Sequence, residues 1–111
     1  MCGSMGWSVE FLDEDVRAEL SALPADIRAS FERIVGLIRS HGLERMREPY
    51  VRHLEGRLWE MRMKGRDGIA RAVYVTAAGR RVVVVRVFPK KTQKTPRREI
   101  ELALKRAKEV S

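Results

Sequence analysis

Cysteine is almost missing from this chain: Cys2 is the only one in 111 residues. An internal disulfide is excluded, and a reducing, cytoplasmic setting is the expectation. A lone thiol so near the N-terminus reads as a loose residue rather than a nucleophile. Histidine is nearly as scarce. His41 and His53 are the only two, and neither belongs to a ligand-spaced cluster, so no metal and no other cofactor is expected. There is no glycine-rich phosphate cradle and no Gly-x-Ser-x-Gly elbow, which removes the familiar nucleotide-binding and serine-hydrolase machinery. Long apolar runs are missing too. The cleanest, Val82 to Val85, is far too short to span a membrane, and Met1–Gly6 has neither the basic nor the apolar region of a signal peptide. No membrane partner is expected.

What the chain does have is an apolar content of 44% and an uneven charge. The apolar content suits one folded domain over residues 1–111, with residues 1–6 expected to be disordered. Residues 1–60 carry 8 Lys/Arg against 11 Asp/Glu, a balance of −3. Residues 61–111 carry 15 against 4, a balance of +11, and the two sum to the net +8. A cationic excess confined to one half points to a polyanionic partner, and nucleic acid is the leading class because Lys and Arg neutralise its phosphates.

The hydropathy pattern gives a coarse order of elements. Trp7 to Phe11 alternates with period two and reads as a strand. Asp13 caps a helix whose apolar face holds Val16, Leu20 and Leu23. Pro24 opens a second helix with a stripe of Ile27, Phe31, Ile34, Val35 and Ile38, which Gly42 ends. Residues 43–56 read as a loop with a helical turn. Leu58–Met63, Ile69–Thr76 and Arg81–Phe88 read as three strands joined by turns at Asp67-Gly68 and Ala78-Gly79, hence an antiparallel meander. Thr95 is expected to cap a last helix with Pro96 at its first position. Its stripe is Ile100, Ala103, Leu104 and Ala107. The expected fold is α+β, in the order β-α-α-β-β-β-α, with an antiparallel sheet and the helices packed on one face.

The candidate chemistry is cationic. Glu60 and Arg62 share one side of their strand, and Arg71 and Arg86 follow on the next two. If that parity faces away from the helices, the arginines converge on one sheet surface beside the loop Lys90-Lys91-Thr92-Gln93-Lys94. Guanidinium forks grip phosphate oxygens bidentately and keep their charge. Such groups stabilise the charge that builds on phosphorus during phosphodiester cleavage. RNA carries its own nucleophile in the 2′-hydroxyl, so no metal or covalent residue is required. Trp59 shares parity with Met61 and Met63 and is read as core, as is Tyr74. His53 is a candidate acid or base, since imidazole is the side chain that changes charge near neutral pH.

These residues resemble a known family. Pro49 to Arg62, ending Leu54-Glu55-Gly56-Arg57-Leu58-Trp59-Glu60-Met61-Arg62, resembles the "P…L-x-G-x-LWELR" stretch of HigB-like toxins, a phage-related branch of the RelE/ParE superfamily. Arg71-Ala72-Val73-Tyr74 is similar to that family's "YR-x-x-Y" strand. Phe88-Pro89-Lys90-Lys91-Thr92-Gln93-Lys94-Thr95-Pro96 is similar to its "F-x-KKTQKTP" motif, and Glu99, Ile100 and Ala103 continue the likeness. Met61 departs from the usual leucine, and Arg86 stands where a small residue or histidine is common.

The resemblance implies a RelE-like fold and the toxin of a type II toxin–antitoxin pair. It implies an endoribonuclease that cleaves mRNA, often on the translating ribosome, and is silenced by a helix-turn-helix antitoxin. It assigns Arg62, Arg71, Lys90 and Lys91 to contact with phosphate or the transition state. It names no general base, so Glu60 and His53 stay as candidates. Arg86, Lys94, Arg97 and Arg98 are read as RNA-binding. Two other functions stay open: a ParE-like toxin acting on DNA gyrase, and an RNA- or ribosome-binding module without catalysis.

Overall fold

A computed structural model describes residues 6–48, 50–66, 68–90 and 94–110. The disorder expected at residues 1–6 falls outside these, apart from Gly6, and so do Asp67 of the expected turn and Lys91 of the lysine loop. The elements are β1 (Ser8–Phe11), α1 (Glu14–Ser21), α2 (Ala25–His41), a 3-10 turn (Leu43–Arg45), β2 (Val51–Glu55), β3 (Leu58–Lys64), β4 (Ile69–Ala77), β5 (Arg81–Pro89) and α3 (Arg97–Ala107). The α+β class and every expected element are present, with one strand added.

The helix signals act as the sequence suggests. Asp13 accepts a hydrogen bond from the Val16 amide at 3.1 Å and caps α1. Pro24 precedes α2, and Gly42, at φ 87°, ends it in a conformation that favours glycine. The added strand is β2, inside the expected 43–56 loop. It pairs antiparallel with β3, with an irregularity between His53 and Glu55.

The sheet order is β1-β5-β4-β3-β2. Four strands form the antiparallel meander, but β1 pairs parallel to β5. The sheet is therefore mixed, a correction to the antiparallel reading. Two consecutive helices return the chain to the same end of the sheet, which orients β1 alongside the last strand rather than against its neighbour in sequence.

Helices cover both faces, which corrects the one-face arrangement. The stripes of α1 and α2 pack with Met61, Met63, Ala72, Tyr74, Val82 and Val84. On the other face Leu58, Val73, Val75, Val83 and Val85 pack with Ala103 and Ala107 of α3. Four consecutive valines need this, since alternate side chains point to opposite faces and each gains roughly 1.5–3 kcal/mol from burial. Trp59 also departs from expectation. It lies on the Met61 side but remains 39% exposed, in an open hollow with Trp7, Leu43 and Met46 rather than in the closed core.

The edge of β5 is closed by side chains. β1 pairs only as far as Val84. Beyond it, Arg106 donates to the Val85 carbonyl at 2.8 Å and Glu19 accepts from the Val87 amide at 3.0 Å. Unpaired strand edges invite pairing with other chains, and these contacts occupy this one.

Candidate cationic site

The α3 face of the sheet is only partly covered. Strand pairing places Arg52 opposite Glu60, Arg62 opposite Arg71, and Arg86 opposite Val73, so all lie on this face. The convergence that alternation suggests is present, although the face is shared with α3 rather than clear of helices.

Buried contacts fix the centre of the site. Arg71 and Glu60 are each 3% exposed. The Arg71 Nη1 lies 3.5 Å from the Glu60 Oε1 and donates to the Thr95 hydroxyl, and that hydroxyl donates to the same Glu60 oxygen at 2.8 Å. The Glu60 carboxylate is thus committed to holding Arg71 and the residue that follows the lysine loop. Thr95 does this instead of capping α3, whose N-cap is Pro96 with no side-chain hydrogen bond.

Around this anchor lie two adjoining hollows. One, of about 140 Å³, is lined by Glu48, Tyr50, Arg52, Glu60, Arg62, Arg71 and Lys90 among others. The other, of about 210 Å³, is lined by Arg71, Lys90, Lys94 and Arg98 among others. They share Arg71 and Lys90. The crowding of cations shows in their acidities. Burial pushes the Arg71 guanidinium below its usual value, Glu60 opposes this, and Arg52 and Arg62 reinforce it. Lys90 is pushed down by desolvation and then by Arg62 and Arg71, with Glu60 again opposing. A site that disfavours its own cations is stabilised by an anion entering it.

The other expected site residues are placed as follows. Arg86 lines the second hollow but is held by Glu99 at 2.6 and 3.2 Å and by Glu19 at 2.9 Å, and the Glu99 bond raises its pKa. Arg97 grips Glu55 at 2.6 and 3.1 Å, outside the hollows. His53 lies opposite Trp59, hence on the other sheet face, where its Nε2 is 2.9 Å from the Gly56 carbonyl and its ring meets Trp59 at 5.0 Å. The sheet separates it from Arg62 and Arg71. Lys91 lies outside the described residues. Arg52 and Tyr50 belong to the site although the sequence reading, with residues 43–56 as loop, does not include them. The alternation of Val51 and His53 against Arg52 and Leu54 is the signal that could have found them.

A two-helix layer, a five-stranded mixed sheet and a cationic face beside α3 define a small α+β protein. Residues 18–108 match the family described as "Phage derived protein Gp49-like (DUF891)". The chain belongs to this family. Among solved structures it is similar to a chain of the archaeal RelE–RelB complex from Pyrococcus horikoshii OT3, with a TM-score of 0.55 and 20% identity over 76% of this chain and 94% of that one. No curated protein sequence matches it. The likeness to a phage-related, RelE-type family that its motifs suggest therefore stands.

Proposed function

We propose that the chain is the toxin of a type II toxin–antitoxin pair and acts as an endoribonuclease on mRNA. The carrying observation is the meeting of Arg52, Arg62, Arg71 and Lys90 in one hollow, with Arg71 held rigidly by Glu60 and Thr95. The 2′-hydroxyl loses its proton to bulk water as it attacks the adjacent phosphorus, the bond to the 5′-oxygen breaks, and a 2′,3′-cyclic phosphate remains. Arg62 and Arg71 stabilise the charge on the phosphoryl oxygens. Lys90, whose ammonium is made a readier acid by its surroundings, donates the proton the leaving 5′-oxygen requires. No step requires a metal. Lys91 joins the phosphate contacts and Lys94 and Arg98 extend them. Glu60 serves as a positioning residue, and His53 takes no part. An antitoxin partner is supported by the fold likeness to a chain from a RelE–RelB complex. A helix-turn-helix antitoxin, action on the translating ribosome and a cytoplasmic location belong to the same reading.

Induced expression in a bacterial host should arrest growth and produce new mRNA ends within coding frames. Arg62→Ala with Lys90→Ala should abolish both, since one such electrostatic donor is worth about 10²–10³ in rate. A double variant that stays fully toxic would overturn the site. Intact mRNA with inhibited DNA supercoiling would select gyrase inhibition instead.

A further inference from the structure

A third hollow, of about 690 Å³, lies between α2 and the β3–β4 turn. It shares Tyr50 and Arg62 with the central hollow. The two therefore adjoin where β2 no longer covers the edge of β3, and the cationic surface passes around the sheet edge. Arg33, Lys64 and Arg66 are exposed there. The wall is tightly built. Gly65 lies so close to α2 that a Cβ would meet Ile27 at 2.6 Å and Asp26 at 2.8 Å. The Lys64 amide donates to Ser30 at 3.3 Å, and the Arg66 amide donates to Asp26. That bond also holds the Asp26 carboxyl below its usual pKa. Asp26 is thus occupied by backbone, while the arginine and lysine heads face solvent. At the junction sits Tyr50, the most exposed large hydrophobic side chain among the described residues at 42%.

We propose that this groove carries the single-stranded RNA flanking the cleaved bond, with a base stacked on Tyr50 and the adjacent phosphates on Arg33 and Arg66. Every base has a π-face, so such a platform positions RNA without reading its sequence. A backbone that bends around a sheet edge must unstack its bases, and a flexible single strand meets that demand where a duplex does not. The inference rests on the endoribonuclease reading, because it assigns the track that feeds that site.

The test is binding of two cleavage-resistant 2′-O-methyl RNAs to the full chain, a dinucleotide and an oligomer of roughly ten nucleotides. The oligomer should bind tighter. Tyr50→Ala should weaken oligomer binding about 5- to 150-fold, the range of one lost stacking contact, while Tyr50→Phe keeps it. Arg33→Ala with Arg66→Ala should lower the slope of log K against log salt by about 1.4, about 0.7 for each lost phosphate contact, and leave the dinucleotide unaffected. Tyr50, Arg33 and Arg66 all lie at the surface, and melting curves confirm the fold of each variant. Oligomer binding and salt slope equal to the parent's in Tyr50→Ala and the double variant would overturn the groove while leaving the growth-arrest result standing. A parent chain that binds neither RNA would overturn the groove, while the growth-arrest and mRNA-end assay decides separately on the reading beneath it.

Discussion

Replacing Glu60 by Gln keeps the shape of the side chain and deletes its charge. In the native protein that charge is buried against Arg71 and Thr95, with both ionic side chains only 4% exposed. Removing one member of a buried ion pair costs about 3–5 kcal/mol, because the other is left uncompensated. Here Arg71 also faces repulsion from Arg52 and Arg62, so nothing nearby replaces the lost carboxylate. Thr95 can still donate to the amide oxygen, which places the loss near the lower bound, about 3 kcal/mol. For a domain of this size each kcal/mol moves the melting temperature by about 3–5 °C, so the midpoint should fall by roughly 9–15 °C. Thermal melting followed by circular dichroism reads this directly. A cycle with Arg71→Met adds a second reading. The double variant Glu60→Gln/Arg71→Met should be more stable than the sum of the two single changes predicts, with a coupling of about 2 kcal/mol. A Glu60→Gln midpoint within about 2 °C of the parent, or an additive cycle, would refute the pair as the anchor of the site.

Arg62→Ala should raise the pKa of the Lys90 ammonium toward that of an ordinary lysine, because Arg62 is the largest charged contributor to its depression; NMR titration of the lysine side chains checks this. The sign for stability follows from the depressed value. Charged Lys90 is disfavoured by the fold below its folded pKa, and that penalty is relieved as pH rises from there to the unfolded value, a window that should narrow in Arg62→Ala. Gly65→Ala should destabilise by about 1–3 kcal/mol in denaturant melts, since its Cβ would overlap the side chains of Asp26 and of the buried Ile27. Arg86→Leu should cost roughly 2–3 kcal/mol by stranding Glu99, which is 8% exposed, and should leave RNA affinity in a filter-binding assay near the parent's, because Glu19 and Glu99 already engage the guanidinium.

Much of this molecule is legible in its residues. The stripe from Ile27 to Ile38, the Asp13 cap and the Gly42 stop each rest on local chemistry, and each appears as read. Strand alternation likewise puts Glu60 and Arg62 on one face, and the register of β3 with β4 adds Arg71 to it. What is not legible depends on distant partners. A helix stripe says that one side of α3 is buried but not which face of the sheet buries it. The clue lies in Val82–Val85, whose unbroken apolar character requires cover on both faces. β2 is hidden by Pro49 and Gly56 at its flanks and by the irregularity after His53. Arg86 reads as a free cation in sequence, yet Glu19 and Glu99, 67 and 13 residues away, claim it. Thr95 has the residue type and position of a cap, and only the nearness of Glu60 diverts it.

The closure of the β5 edge also sets an order of events. Glu19 and Arg106, which meet at 3.2 Å, stand 87 residues apart. At roughly 5–20 residues per second, synthesis takes about 4–17 s to travel between them. Through most of that interval β1 has no partner strand, because its neighbour β5 begins only at Arg81. Thr95 and α3, which complete the cationic face, follow β5 in chain order. A chain still under construction therefore lacks both its sealed sheet and its anchored Arg71. The topology delays the cationic face until Thr95 and α3 have been made.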